Sequence, residues 1–261
     1  MLQQRTITTL QHVPPFDKPR SEKSAFHCSF ARSPSEVAEA QRLRYKVFAE
    51  EMGARLKGHD GLDRDGFDAF CDHLLVRNTE SGQVIGTYRI LSPSMAQEAG
   101  GYYSAGEFDL SRLLHLAPGM VEVGRSCVHQ DYRNGTTISL LWAGLAKYMR
   151  LNGYEHLIGC ASISMSDGGH NAASIYTQML QEGRLSPQEY RVFPHCPLPI
   201  AQLNNHQEAI YPPLIKGYMR LGAYVCGEPA WDPDFNTADL LVMLPLSRMD
   251  SRYAAHFLNH P

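Results

Sequence analysis

The chain contains 261 residues, of which 43% are hydrophobic and 20% are charged, and its formal net charge is -3. A chain of this length and composition can bury a sizeable core, as a globular protein does. The near-neutral charge excludes the strong positive field with which many proteins attract nucleic acid. Six cysteines without a CxxC pair favour reduced thiols in a cytoplasm over a disulfide framework. We therefore expect a cytoplasmic protein that does not bind nucleic acid.

Membrane insertion finds no support in the sequence. No apolar run approaches the roughly 18 residues of a membrane span, and the first residues do not form a basic and then apolar signal. A local basic patch could still touch the inner membrane, so peripheral contact stays open.

Local patterns predict the secondary structure in chain order. Residues 1–24 are polar and include three prolines, which predicts a mobile tail. Beyond it, apolar runs and turn residues predict seven strands, at Phe26–Ala31, His73–Asn78, Val84–Leu91, Val121–Val128, His156–Ser164, Tyr224–Gly227 and Asp239–Pro245. Capping residues and apolar periodicity predict four helices, at Pro34–Glu51, Thr136–Tyr154, Asn171–Leu180 and Pro212–Gly222. This order predicts an α/β fold with a central mixed sheet flanked by helices, in a single domain over residues 25–261.

The stretch Val121–Gly135 is the most informative one. It runs from a strand through a glycine-containing turn into the helix that begins at Thr136. Such a junction often binds phosphate, because the first N–H groups of a helix have no partner within the helix. Glu122 and Arg125 lie in the strand beside this turn. A carboxylate and a guanidinium at this place suggest chemistry on a charged substrate.

Glu122 and Arg125 also allow a structural interpretation. Strict alternation places them on opposite faces of the strand, unless a β-bulge intervenes, which Gly124 would tolerate. A carboxylate in an apolar strand is costly to bury without a partner. A structural Glu–Arg pair is therefore the alternative to a catalytic role.

Two other charged groups stand out. Arg44 and Phe48 lie on the first helix, where a solvated helix face is the simpler interpretation of the arginine. The following loop is acidic, with carboxylates at Asp60, Asp63, Asp65, Asp68 and Asp72. It lacks the bidentate Glu of a calcium loop. Its acids fit either the ammonium groups of an amine substrate or a solvated turn.

Several familiar chemistries are not supported by any motif. GxSxG is absent, the histidines lack the spacing of a zinc site, and neither GxGxxG nor GxxxxGK[ST] occurs. We expect no metal and no permanently bound cofactor.

Five stretches carry a family resemblance: LRYKVFAEEMG, GLDRDGFDAFCDHLLV, VIGTYRILSP, EVGRSCVHQDYRNG and PPLIKGYMRLGAYVCGEPAWDPDFNTADLLVMLPL. The chain resembles the acyltransferase branch of the GNAT superfamily over about residues 26–257. Within that branch it is similar to the ornithine acyltransferases and haemolysin-like proteins of ornithine lipid synthesis, which are related to acyl-homoserine lactone synthases. The long C-terminal stretch is more typical of the ornithine acyltransferases.

The resemblance implies a GNAT-like fold and an N-acyltransferase. Such an enzyme moves a fatty chain, expected to be 3-hydroxyacyl, from acyl carrier protein to the α-amine of an amino acid, with L-ornithine preferred. Glu122 is then the base and Arg125 its charged partner. The implied substrate-binding residues are Arg44, Phe48, Asp65, Asp68 and Arg89. The implied phosphopantetheine-binding residues are Ser126, Cys127, Val128, Arg133, Asn134, Gly135 and Thr136.

The turn departs from the usual GNAT loop, R/Q-x-x-G-x-G/A. Only Gly135 remains of its two small residues. Acyl carrier protein presents phosphopantetheine without the nucleotide of CoA, so the reduced loop is compatible with a carrier-protein donor, and acyl-CoA is less favoured. Two alternatives stay open: a lactone synthase that uses S-adenosylmethionine, and a non-catalytic, membrane-active haemolysin-like protein. The lack of a membrane span or a basic amphipathic helix counts against the latter.

Overall fold

The computed structural model describes residues 25–56 and 60–249. The expected mobile tail, residues 1–24, lies outside these ranges. The strands are β1 (Phe26–Phe30), β2 (Asp72–Asn78), β3 (Val84–Leu91), β4 (Phe108–Asp109), β5 (Met120–Val128), β6 (His156–Ser164), β7 (Phe193–Pro194), β8 (Tyr224–Val225), β9 (Ala230–Asp232) and β10 (Thr237–Pro245). The α-helices are α1 (Pro34–Tyr45), α2 (Pro93–Glu98), α3 (Thr136–Asn152), α4 (His170–Gln181) and α5 (Pro213–Leu221).

Eight of the strands form one mixed sheet. Its order is β1-β2-β3-β5-β6-β10-β8, and β9 pairs with the start of β10. Neighbouring strands run antiparallel except β5 and β6, which are parallel. The short strands β4 and β7 pair separately. The α/β architecture with a mixed sheet confirms the fold class that the sequence predicts.

Helices cover both faces of the sheet. On one face α3, α4 and α5 bury Leu141, Met179 and Ile215 in the largest apolar cluster. On the other face α1 packs through Ala40 and Leu43. Because side chains of a strand alternate between faces, β2 can contribute to both cores. No helix in the described parts of the chain combines the length and apolar character needed to cross a bilayer.

The first helix begins and ends as predicted, with an irregular last turn. The hydroxyl of Ser33 accepts a hydrogen bond from the N–H of Glu36, and Pro34 occupies the first turn. After Tyr45 the chain continues as a π-helix over Lys46–Glu51. Short π-helical segments often occur at functional sites, and this one presents Phe48 to the cavity described below.

The connection Pro93–Ser111, for which the sequence predicts no helix, contains one. Ser92 caps helix α2 and Pro93 begins it, the same signal that marks α1. The segment then crosses the sheet on the α1 face, where Phe108 and Leu113 are buried against Met120 and Ile158. This packing gives the segment a fixed place above β5 and β6.

Candidate active site

A cleft opens where β5 and β6 separate. Their parallel pairing ends at Glu122 and Ile158, although β5 continues to Val128 and β6 to Ser164. The cavity between them has a volume of about 520 Å³. Its walls are mainly apolar, and residues of α3, α5 and the π-helix complete them. An apolar cleft between two diverging strands can hold an extended, flexible ligand.

Glu122 is a buried carboxylate at the start of this cleft. Its side chain lines the cavity and only 4% of the residue is exposed. It accepts hydrogen bonds from the backbone N–H of Tyr103 (2.5 Å) and of Ser104 (2.8 Å), and from the Ser104 hydroxyl. Burial raises the pKa of Glu122, and the hydrogen bonds from Ser104 and Tyr103 offset part of that rise. A carboxylate with a raised pKa is suited to accept a proton near neutral pH.

A β-bulge changes the direction of β5 after Gly124. Gly124 is opposite Arg89 and Cys127 is opposite Thr87, so two residues of β5 face Tyr88 alone. Arg125 lies in the bulge and has φ 49°, in the left-handed region that non-glycine residues rarely adopt. The bulge that Gly124 was expected to tolerate therefore lies one residue later.

Arg44 lies in a buried ion pair with two acidic-loop residues. Its Nε donates to Oδ2 of Asp63 at 2.7 Å, and Nη1 donates to Oδ1 of Asp68 at 2.9 Å. Arg44 is 0% exposed and Asp63 is 3% exposed. Burial alone would raise the pKa of Asp68, but the Arg44 hydrogen bond and the charges of Arg44 and Arg89 lower it far below its usual value. Asp68 is therefore ionised at any physiological pH.

Arg89 and Arg125 extend this arrangement toward the cleft. Arg89 Nη1 donates to Asp65 at 2.6 Å, while Arg125 donates from Nε to Asp63 and from Nη2 to Asp65, each at 3.2 Å. The guanidinium of Arg125 also lies 4.9 Å from the ring centre of Tyr103. We call the whole set the Arg–Asp network; it consists of Arg44, Arg89, Arg125, Asp63, Asp65 and Asp68. Three positive and three negative charges balance within it.

The Arg–Asp network excludes the two interpretations in which Arg44 and the acidic loop are simply solvated. The first helix does not present Arg44 to solvent, and the acidic loop is not simply a solvated turn, because buried arginines pair with its carboxylates. Glu122 and Arg125 bond to different partners and not to each other. Glu122 accepts from the backbone of Tyr103 and Ser104. Arg125 donates to Asp63 and Asp65.

Some of the predicted site residues line the cavity and the others do not. The cavity is lined by Phe48, Arg89, Glu122, Arg125, Ser126, Cys127, Val128, Arg133 and Gly135. The remaining predictions, absent from that wall, are Arg44, Asp65, Asp68, Asn134 and Thr136. Direct contact of Arg44 with a ligand does not fit a fully buried side chain whose guanidinium is already paired.

The turn before α3 brings a helix N-terminus to the cavity. Gly135 has φ 91° and precedes the first helical residue, Thr136. The N–H of Thr136 already donates to the side chain of Asn134 at 3.1 Å. Arg133 donates to the backbone oxygen of Val128 at 3.0 Å and pairs with Glu51. Arg133 and Gly135 line the cavity, so an anionic group could meet the positive end of the α3 dipole here.

Cys127 has the environment of a structural thiol. It is 6% exposed, and burial raises its pKa to about 12. A nucleophilic cysteine needs a lowered pKa, so Cys127 does not have the properties of one.

Sequence reasoning missed a second acidic cluster beside the cleft. The side-chain ligand atoms of Glu107, Cys160 and Asp239 all lie within 4.8 Å of one another, a set that could hold a metal ion. Burial, followed by the charges of Asp239 and Asp232, raises the pKa of Glu107 to about 9. No local motif points to this cluster, because its members come from three distant parts of the chain. Tyr103 and Ser104, which hold Glu122, were missed for the same reason.

Comparisons with known proteins identify the fold and the family of the chain. Residues 43–143 match the family model described as an acetyltransferase (GNAT) domain. A solved CoA-dependent acyl-homoserine lactone synthase, BjaI, in a structure with MTA, superposes with a TM-score of 0.51 at 16% identity, over 91% of this chain and 90% of that one. At such low identity the likeness establishes the fold alone. The chain is thus a GNAT-fold acyltransferase.

Relatives of higher identity define the family within this class. The L-ornithine N(alpha)-acyltransferase of Rhizobium meliloti (strain 1021) is 39% identical over 249 residues, which cover 87% of this chain and 82% of that protein. The protein of the same name from Brucella abortus (strain 2308) is 36% identical over 243 residues, covering 87% and 86%. The chain belongs to the L-ornithine N(alpha)-acyltransferase family, which confirms the resemblance in its sequence.

Proposed function

We propose that this protein transfers a fatty acyl chain, most simply a 3-hydroxyacyl chain, from acyl carrier protein to the α-amine of L-ornithine, the first step in making an ornithine lipid. The observation that carries the proposal is Glu122, a buried carboxylate with a raised pKa at the start of the apolar cleft. Family membership supplies the acceptor.

In the proposed reaction Glu122 first removes a proton from the α-ammonium group, directly or through a water. The freed amine nitrogen attacks the thioester carbonyl carbon, and a carbon–nitrogen bond forms as the carbonyl oxygen becomes an oxyanion. The carbon–sulfur bond then breaks. The phosphopantetheine thiolate leaves and takes up a proton, while the nitrogen loses its second proton. No covalent enzyme intermediate is needed, which agrees with the buried, protonated state of Cys127.

The oxyanion needs preorganised hydrogen-bond donors. The bulge in β5 supports a place for them, because the extra residue of a bulge is left out of the ladder. Arg125 and Ser126 occupy this interruption and both line the cavity. The N–H groups of the segment Ser126–Val128 that do not bond to β3 are the donors that we assign to the oxyanion.

The donor would lie along the apolar walls with its phosphate near Arg133 and Gly135. A carrier protein supplies that phosphate without a nucleotide, which suits the single glycine of the turn. Within the Arg–Asp network, Arg89 and Arg125 both lie on the cavity wall. We assign Arg125 to the acceptor carboxylate because its side chain is the more exposed, at 12% against 5%, and a guanidinium forms bidentate pairs readily. Arg44 and Asp68 then hold Arg89 and Asp65 in position from behind.

The proposal is tested by reconstitution with purified protein. Acyl carrier protein loaded with a 3-hydroxyacyl chain, or the matching acyl-CoA, is incubated with ornithine, and N-acylornithine is measured by mass spectrometry. We expect product with the carrier protein and at least about tenfold less with acyl-CoA. A parallel reaction with S-adenosylmethionine tests lactone synthesis: release of methylthioadenosine and no N-acylornithine would overturn the proposal. Membrane lysis by a Glu122→Gln variant that makes no product would instead favour a membrane-active protein.

A further inference from the structure

We propose that Glu107 and Asp239 bind the side-chain ammonium group of the acceptor amino acid. This inference rests on the proposed function and adds the feature that selects a diamino acid. Two buried carboxyl groups and a position beside the cleft carry it.

The two carboxyl groups are buried, and their polar neighbours include each other and the Cys160 thiol rather than a cationic side chain. Asp239 is 4% exposed, it lines the cleft, and its Oδ1 has no hydrogen-bond partner. Both carboxyl oxygens of Glu107 are also buried and unpartnered. Buried polar atoms are almost always hydrogen-bonded in folded proteins. A buried carboxyl pair that shares a proton and has no cationic partner is therefore suited to an ammonium group, which would displace that proton and donate hydrogen bonds in its place.

The acidic pair lies on the same face of the sheet as Glu122. Glu122 pairs with Ile158 of β6, and Asp239 of β10 pairs with Ser162 of the same strand. Ile158, Cys160 and Ser162 alternate onto one face. Glu107 reaches this face from above, three residues after Ser104, whose hydroxyl donates to Glu122. One short segment therefore holds the base and supplies one member of the acidic pair.

The spacing along β6 matches the length of the acceptor. Cys160, which touches the acidic pair, lies two residues beyond Ile158, or about 6.6 Å along the strand. The two nitrogens of extended ornithine are separated by five bonds and lie about 6 Å apart. With its α-nitrogen at Glu122, the acceptor would place its second nitrogen at the level of Cys160.

The cluster also has an opening of its own. Glu107 lines a second cavity of about 540 Å³, together with Tyr103, Trp231 and Asp232. Tyr103 and Asp232 line the main cleft as well. The acidic pair thus lies between two adjoining cavities, and Asp232 adds negative charge to the passage that a cation would use.

An ammonium group fits the cluster better than a metal ion does. Two oxygens that accept hydrogen bonds of about 2.8 Å from one tetrahedral ammonium lie about 4.6 Å apart, and the ligand atoms here lie within 4.8 Å of one another. Soft metals prefer thiolate ligands and hard cations prefer oxygen ligands, so two carboxyl groups with one thiol match neither class well.

The test compares two acceptors that differ only in the second amine. Ornithine and norvaline share one carbon chain, and norvaline lacks the side-chain ammonium. The ratio of their kcat/KM values is measured for wild type, Glu107→Gln, Asp239→Asn and the matched control Glu98→Gln, which alters an exposed residue of the same segment. We expect the ratio to fall by about 30-fold or more in the first two variants, the scale of a lost charged hydrogen bond. Their norvaline values should stay within about threefold of wild type.

The outcomes separate this inference from the transfer reaction itself. Wild type that acylates norvaline as well as ornithine, or folded Asp239→Asn protein with an unchanged ratio, would overturn the ammonium site and leave the transferase standing. Protein that acylates neither amino acid with either donor would overturn both. Stoichiometric metal in purified wild type that is lost from Asp239→Asn would show that the cluster binds a metal instead.

Discussion

The main chain of Gly159 meets that of Val123 so closely that a Cβ on Gly159 would lie 2.3 Å from the Val123 carbonyl oxygen. Gly159 directly follows Ile158, where the pairing of β6 with β5 ends. The close approach therefore lies at the point where the cleft begins. Only a residue without a side chain permits such contact between two backbones.

Gly159→Ala should therefore damage both stability and the cleft. The new methyl group forces the two strands apart, and we expect the free energy of unfolding to fall by about 1–3 kcal/mol with at least about tenfold lower kcat/KM. Urea denaturation and transfer assays measure the two effects. Gly124→Ala serves as the stability control, because a Cβ there meets no atom within 4 Å. Equal stability of the two variants would contradict the steric explanation.

Glu122→Gln should remove the base while keeping the fold. We expect kcat/KM to fall by about 100-fold or more, the usual contribution of a general base. The wild-type rate should rise with pH as Glu122 loses its proton, with a midpoint above the ordinary glutamate pKa because burial raises it. The variant should lack this limb of the profile. Exposed Glu80→Gln is the control, and a folded Glu122→Gln protein with the wild-type profile would exclude Glu122 as the base.

Local signals explain which parts of the molecule the sequence could reveal. The Ser33-Pro34 cap marks the start of α1, and strand, glycine turn and helix follow one another over Val121–Asn152. Each is decided by neighbouring residues. The same cap at Ser92-Pro93 marks α2 and could have been used. The strands missed, β4, β7 and β9, are two or three residues long and show no alternation.

The partners of the charged residues could not be predicted from neighbouring residues in the sequence. Glu122 is held by residues 18 and 19 positions earlier, on a segment for which the sequence predicts no strand or helix. Composition shows that the loop around Asp63 is acidic, but whether its carboxylates are solvated depends on arginines from α1, β3 and β5. The bulge occurs at Arg125, not at the glycine where backbone propensity favours it. Tertiary packing determines the partners of Glu122, the burial of the acidic loop and the position of the bulge.

Breaking the Arg–Asp network should cost more stability than breaking a surface ion pair does. Arg44→Ala leaves Asp63 and Asp68 buried without their main partner, and we expect a loss of about 3–5 kcal/mol. Arg64→Ala breaks an exposed pair with Asp60 and should change stability by about 0.5 kcal/mol or less. Chemical denaturation of both variants measures the difference. Similar losses would contradict the view that Arg44 is needed to compensate the buried carboxylates.

The free energy of unfolding should fall as the pH rises, because the buried carboxyl group of Glu107 has a raised pKa. Its pKa is about 9 in the folded protein and near its ordinary value of 4.5 when unfolded. Between these values the folded state holds a proton that the unfolded state has released, so stability falls as pH increases through this window. Asp239 and Asp232 face the same group and add to the effect.

Glu107→Gln removes this titration and should flatten the dependence. The variant should melt about 3 °C or more above wild type at pH 8, and the gap should shrink as the pH approaches 5. Thermal unfolding followed by circular dichroism across this range is the measurement, with Glu98→Gln expected to follow the wild-type curve. Parallel curves for Glu107→Gln and wild type would show that Glu107 is ionised in the folded protein. A stability gain together with lost ornithine selectivity would show that the acidic pair is kept for binding at a cost to the fold.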